Sequence, residues 1–130
     1  MNNHAIRANA MKLLYEREMG GDGGRDTLSG LLEVTEPADM EPVEQLYQGV
    51  ADVLEEVDQA IAGNLRGWTL DRVSRVDLAI LRIGCYELKY KKMPAGVVIN
   101  EALLLAEEYS SDRSRAFING VLGSIARSIQ

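Results

Sequence analysis

The chain has 130 residues, 46% hydrophobic and 26% charged, with 20 acidic and 14 basic side chains, a net charge of −6, one Cys and one His. That is enough for the core of one globular domain, and a single Cys beside a single His excludes both a disulfide framework and a zinc site built from those residues. The acidic balance argues against a general nucleic-acid binder, whose positive field attracts phosphates, so any such role needs a local basic or aromatic patch.

In chain order the apolar spacing predicts helix nearly throughout. A first helix runs from about Asn3 to Met19, with Ile6, Ala10, Leu13 and Leu14 inward. The glycine cluster Gly20-Gly21-Asp22-Gly23-Gly24 is a loop, because glycine loses the most backbone freedom on folding. With no strand before it and no Lys-Ser/Thr pair after it, it does not read as a phosphate-cradling loop. A short helix is expected from about Arg25 to Val34, followed by a connection punctuated by Pro37 and Pro42. A long helix is expected from about Pro42 to Asn64, with Val43, Leu46, Tyr47, Val50, Leu54, Val57 and Ile61 at helical spacing. Trp68-Thr69-Leu70 opens a brief helical turn with Thr69 as a candidate N-cap.

The segment from about Arg75 to Lys91 is apolar nearly all round, which marks a central helix packed on several sides. Lys91-Lys92-Met93-Pro94 ends it. A further helix runs from about Pro94–Val97 to Tyr109, then Ser110-Ser111-Asp112 forms a loop or cap. The last helix covers about Arg113 to Ile129. No segment alternates with period two, so the fold class is all-α, a bundle of about seven helices. The apolar runs fall well short of the ~18 residues of a membrane helix. The segment Met1 to Arg7 does not lead into an apolar signal region, so a cytoplasmic location is expected.

Catalysis finds little support in these residues. His4 lies near a terminus with no nucleophile placed beside it, and reads as solvated or as an RNA-backbone contact. Cys85 sits in the most apolar helix, where thiolate formation is suppressed, and reads as core. Glu55-Glu56 and Glu107-Glu108 are neighbours in sequence that point about 100° apart on a helix, so they read as solvated faces rather than acid pairs. No Asp/Glu/His set has metal-ligand spacing. From the residues alone the chain is an acidic helical binding module.

Three stretches together resemble the NusB family of bacterial transcription antitermination factors. The first is Arg7-Ala8-Asn9-Ala10-Met11-Lys12-Leu13-Leu14-Tyr15-Glu16. The second is Trp68-Thr69-Leu70-Asp71-Arg72-Val73, followed by Val76-Asp77-Leu78-Ala79-Ile80-Leu81-Arg82-Ile83-Gly84-Cys85-Tyr86-Glu87-Leu88. The third is Met93-Pro94 with Val98-Ile99-Asn100-Glu101-Ala102, and then Phe117-Ile118-Asn119-Gly120-Val121-Leu122. The resemblance implies two three-helix subdomains around a central helix, divided near residues 64 and 65. It implies pairing with the ribosomal protein NusE and binding of the boxA element of nascent RNA. It also implies entry into an antitermination complex on RNA polymerase with other Nus factors, notably in ribosomal RNA operons. No cofactor, metal or reaction is implied, and a chain ending at Gln130 is not expected to carry the methyltransferase domain found fused to related modules.

The resemblance also distributes roles. On the RNA side it implies His4, Arg7, Tyr109, Arg113, Arg115 and Phe117, with Phe117 and Tyr109 as stacking platforms. On the NusE side it implies Tyr15 and Asp77, with Met19 extending the patch. Asn3, His4 and Ala5 occupy positions often basic in the family, and Gly96 and Glu107 stand where Lys is common. Those departures thin the basic face and keep a second reading open, a protein-interaction module with weak or lost RNA affinity. A homodimer that hides the RNA face is also open. Gly120 is expected to allow a close helix approach, Arg82 and Glu87 to pair within the central helix, Asn100 and Glu101 to brace their helix, and Trp68 to anchor the core between subdomains.

Overall fold

The computed structural model describes residues 2–20 and 37–129, and the expected short helix at Arg25–Val34 lies outside them, as does most of the glycine cluster. The described residues form six α-helices and no strand: α1 (Asn3–Glu18), α2 (Pro37–Asp52), α3 (Leu54–Ala62), α4 (Arg75–Lys89), α5 (Ala95–Tyr109) and α6 (Asp112–Ile129). A single 3-10 turn, Leu70–Arg72, precedes α4.

The helix starts follow capping chemistry. Asn2 accepts a hydrogen bond from the Ala5 amide at 2.8 Å, and Ser74 accepts one from the Asp77 amide at 3.2 Å. Each satisfies an amide that has no partner within the first turn. Thr69 makes no such bond, so the 3-10 turn starts without the expected cap. The expected Pro42–Asn64 helix is instead two helices. The first begins at Pro37 and encloses Pro42, and the chain breaks helical geometry at Val53 (φ −122°, ψ 27°) before α3 begins. Val50, Leu54, Val57 and Ile61 keep helical spacing straight through that break, so periodicity alone carries no sign of it.

Helix α4 is the axis. Eleven of its fifteen residues are buried, and every other described helix rests on it. The helices α1, α2 and α3 gather along one side, while α5 and α6 pair along the other. This is the expected central-helix bundle. The core runs along α4 through Leu78, Ile80, Leu81 and Ile83, meeting Leu13 and Leu14 of α1, Leu105 of α5, and Ile118 and Leu122 of α6.

The close approach assigned to Gly120 occurs elsewhere. A Cβ at Gly120 would meet nothing within 4 Å, whereas one at Gly84 would sit 2.8 and 2.9 Å from the Leu122 methyls. The bare backbone of α4 at Gly84 is therefore what admits α6. No helix among the described residues is long and apolar enough to cross a membrane.

Candidate nucleic-acid interface

Arginines divide the molecule into closed and open regions. Arg7 is closed. It is 6% exposed, and its Nε donates to both oxygens of Glu87 at 3.0 Å, while Nη2 lies 2.9 Å from Glu87 Oε2. Nη2 also reaches the Met93 sulfur at 3.9 Å, and Glu101 stands 3.9 Å from Nη1. This guanidinium pins α1 to the end of α4 and the turn before α5. The phosphate contact expected at Arg7 would have to compete with this buried pair, because its donors are turned toward Glu87, Glu101 and the Met93 sulfur.

Arg82 is closed in the same way. Its Nε and Nη2 donate to the two oxygens of Asp58, both at 2.8 Å, and Nη1 donates to Glu18 at 2.9 Å. Burial alone would lower its pKa, but the hydrogen bonds and charges of Asp58 and Glu18 outweigh it and hold Arg82 above its usual value. Arg82 and Glu87 thus each pair with other helices, and α4 is tied at its middle and near its C-terminal end.

Asp77 reads differently once folded. It is 6% exposed, and its oxygens accept hydrogen bonds from Ser110 and Ser114, each at 2.7 Å. Neither the solvated stripe nor a carboxylate reaching freely for a partner fits this geometry, because both oxygens are occupied from beneath. Asp77 instead fixes the turn between α5 and α6. Partners 33 and 37 residues away give no local sequence signal.

His4 is neither frayed nor surrounded by positive charge. Its ring lies between Glu101 (Nδ1 to Oε2, 3.4 Å) and Glu108 (Nε2 to Oε1, 2.5 Å). A phosphate arriving here would meet two carboxylates. The RNA contact expected at His4 would have to form against those carboxylates. Tyr109 is exposed at the far end of α5, and the Lys12 ammonium sits 5.3 Å from its ring centroid. One face of that ring is therefore taken by a cation. Tyr15 is half-buried against the core, and Met19 is exposed one turn later.

The open region surrounds Trp68. This indole is 55% exposed rather than anchored in the core, and its ring centroid lies 6.5 Å from that of Phe117 at an interplanar angle of 55°. Most tryptophans are far more buried. Phe117 is half-buried at the start of α6, on the helix flanked by Arg113 and Arg115. The pair divides two adjoining clefts of about 350 and 360 Å³. One is lined by Arg72, Arg113 and Phe117, the other by Arg66, Arg127 and Gly120. All four arginines are exposed, and none forms an ion pair with a described residue. Arg66, Arg72 and Arg127 were missed from the sequence. Arg66 and Arg72 flank Trp68 closely, a basic and aromatic interleaving that single-strand binding surfaces share. Among the described residues no His/Cys/Asp/Glu group is arranged to hold a metal ion.

Known proteins place this architecture. The sequence model described as the NusB family matches residues 4–127. A protein of Clostridium botulinum named transcription antitermination protein NusB is 37% identical over 142 residues, spanning 96% of this chain and 99% of its own length. The solved structure of Thermotoga maritima NusB, described as "T. maritima NusB", superposes with a TM-score of 0.84 at 30% identity, covering 98% of this chain and 92% of that one. A structure of antitermination factors NusB and NusE in complex with dsRNA superposes with a TM-score of 0.83 at 25% identity, covering 96% of each chain.

Proposed function

Since the chain belongs to the NusB family, we propose that it is an antitermination factor that pairs with ribosomal protein NusE and binds boxA RNA of nascent transcripts, notably those of ribosomal RNA operons. The observation that carries the RNA half is the aromatic pair Trp68–Phe117 beside exposed arginines that pair with no described carboxylate. In a chain of net charge −6, this is the surface where an anionic strand with stacking bases meets both of its needs. Phe117 stacks an unpaired base, and Arg113, one turn earlier on the same face of α6, holds the adjoining phosphate, while Arg115, on another face, meets a phosphate further along the strand. Lys12, parked over Tyr109, adds a further cation toward the same strand. Arg7, His4 and Asp77 act from behind, by fixing α1, α5 and the turn before α6.

The NusE half rests on Tyr15 and Met19. Tyr15 offers an apolar body with a polar tip, and Met19 an exposed flexible thioether, which together make an adaptable protein-facing patch at the end of α1. The complex would then enter the larger assembly on RNA polymerase. The work done is binding rather than catalysis.

Fluorescence anisotropy of a boxA-like single-stranded RNA, at two salt concentrations, with and without NusE, tests this reading. Sequence-selective binding that tightens with NusE and weakens with salt is expected. NusE binding without any RNA binding would leave the interaction-module reading, which the acidic surroundings of His4 favour, and would overturn the RNA half. A homodimer that buries Phe117 would appear as RNA affinity that falls as protein concentration rises.

A further inference from the structure

The cleft on the far side of Trp68 has no part in the contacts assigned above. It holds about 350 Å³, at the small end of the roughly 300–1,000 Å³ of small-ligand clefts. Its walls are Trp68 and Asn64 on one side and Phe117, Gly120, Val121 and Ser124 of α6 on the other, with Arg66 and Arg127 also lining it. Gly120 lines it and leaves it open, since a Cβ there would meet nothing within 4 Å. The Arg127 guanidinium lies back along α6, with Nη1 3.4 Å from where a Cβ of Gly123 would stand. The wall is braced by Ser124, which donates to Asn64 at 2.5 Å, while Asn64 donates to the Ala60 carbonyl at 2.7 Å.

Two features here need an occupant of one chemistry. A largely exposed indole offers a π-face, and two exposed guanidinium groups that pair with no described carboxylate offer charge-assisted hydrogen bonds. An acidic peptide would satisfy the arginines and leave the ring face wet. A nucleotide satisfies both, with the base on the indole and the phosphate on a guanidinium. We propose that this second cleft holds a further nucleotide of the same strand, stacked on Trp68 with its phosphate between Arg66 and Arg127, next to the nucleotide at Phe117. The proposal rests on the RNA reading of the first cleft.

Trp68 is the sole tryptophan of the chain, so its fluorescence reports the cleft directly. The probes are boxA-like single-stranded RNAs of roughly 6 and 12 nucleotides, titrated into the full chain with NusE, and into the Gly120→Leu and Trp68→Phe variants. Leucine at position 120 projects into open space and is a better helix former than glycine, so the variant fills the cleft without weakening α6. The expected result is quenching of Trp68 by the longer RNA, absent in Trp68→Phe, together with an affinity loss of about tenfold in Gly120→Leu. The shorter RNA should bind both chains alike. If the RNA binds the unmodified chain, but Trp68 stays unquenched and Gly120→Leu binds equally well, the second subsite is wrong while the RNA reading stands. If the unmodified chain binds no RNA, both fall. If poly-glutamate rather than RNA quenches Trp68 in a Gly120-sensitive manner, the occupant is an acidic protein and the proposal is overturned.

Discussion

Arg7 and Arg82 lie beneath the helices with carboxylates against their donors, whereas Arg66, Arg72, Arg113 and Arg127 stand in the open around Trp68 and Phe117 and pair with no described carboxylate. The same side chain serves as an internal rivet in one region and as free charge in the other. What separates the two is the company of Glu87, Asp58 and Glu18, supplied from distant parts of the chain. Net charge hides this division. The acids are spent partly on the closed arginines and gather around His4, while the clefts keep their positive charge.

The comparison breaks most visibly in the closed region. Replacing one partner of a buried pair strands the other charge, at a cost of about 3–5 kcal/mol. Glu87→Gln should therefore lower the urea midpoint sharply, and Arg82→Ala somewhat less, because Asp58 and Glu18 are partly exposed. If Arg7 instead served phosphates, Arg7→Ala would flatten the salt dependence of RNA binding and leave the urea midpoint in place.

The next effect probes how dry that region is. Burial raises the Cys85 thiol to about 11, with Lys89 pulling it down and Asp58 pushing it up. A raised folded pKa means that the folded chain holds the proton more tightly. The contribution is complete below the unfolded value, near ~8.5, and is lost as pH rises toward about 11, at most about 3 kcal/mol over that window. The Tm advantage of the unmodified chain over Cys85→Ala should thus shrink between pH 8 and pH 10.5. A constant gap would show a thiol that ionises as easily folded as unfolded.

The arginines of the open region should respond in binding and not in stability, whereas Phe117, half-buried against the core, should respond in both. Phe117→Ala should cost RNA affinity about 1–3 kcal/mol through lost stacking, read by anisotropy at fixed salt. Arg113→Ala or Arg115→Ala should be milder, each lowering the slope of log K against log salt by about 0.7, the release expected for one single-strand phosphate. A stability loss with unchanged slope at either arginine would move it into the closed class.

The bundle was legible because its signal is local. The all-round apolar run from Val76 to Leu88 marks α4 as central, and the spacing of Ile118, Val121, Leu122 and Ile125 marks the buried face of α6. The site was less legible because its determinants are distant. Nothing near Arg7 announces Glu87, eighty residues on, and nothing near Asp77 announces Ser110 and Ser114. Trp68 misled for another reason. An indole is ordinarily core, and only its tilt against Phe117 at the surface shows that this one is displayed. Gly120 misled likewise, since a mid-helix glycine suggests a close neighbour, and here it fronts empty space.

With every described helix resting on α4, the described residues show no seam along which a part could melt while the remainder stayed intact. Opening the α1 side strips α4 of Leu13 and Leu14, and opening the α6 side strips it of Ile118 and Leu122, so either event exposes the same shared spine. The chain should therefore behave as a single cooperative unit in which loss of any one helix is felt at the clefts, and a fragment lacking α4 should have no native state of its own.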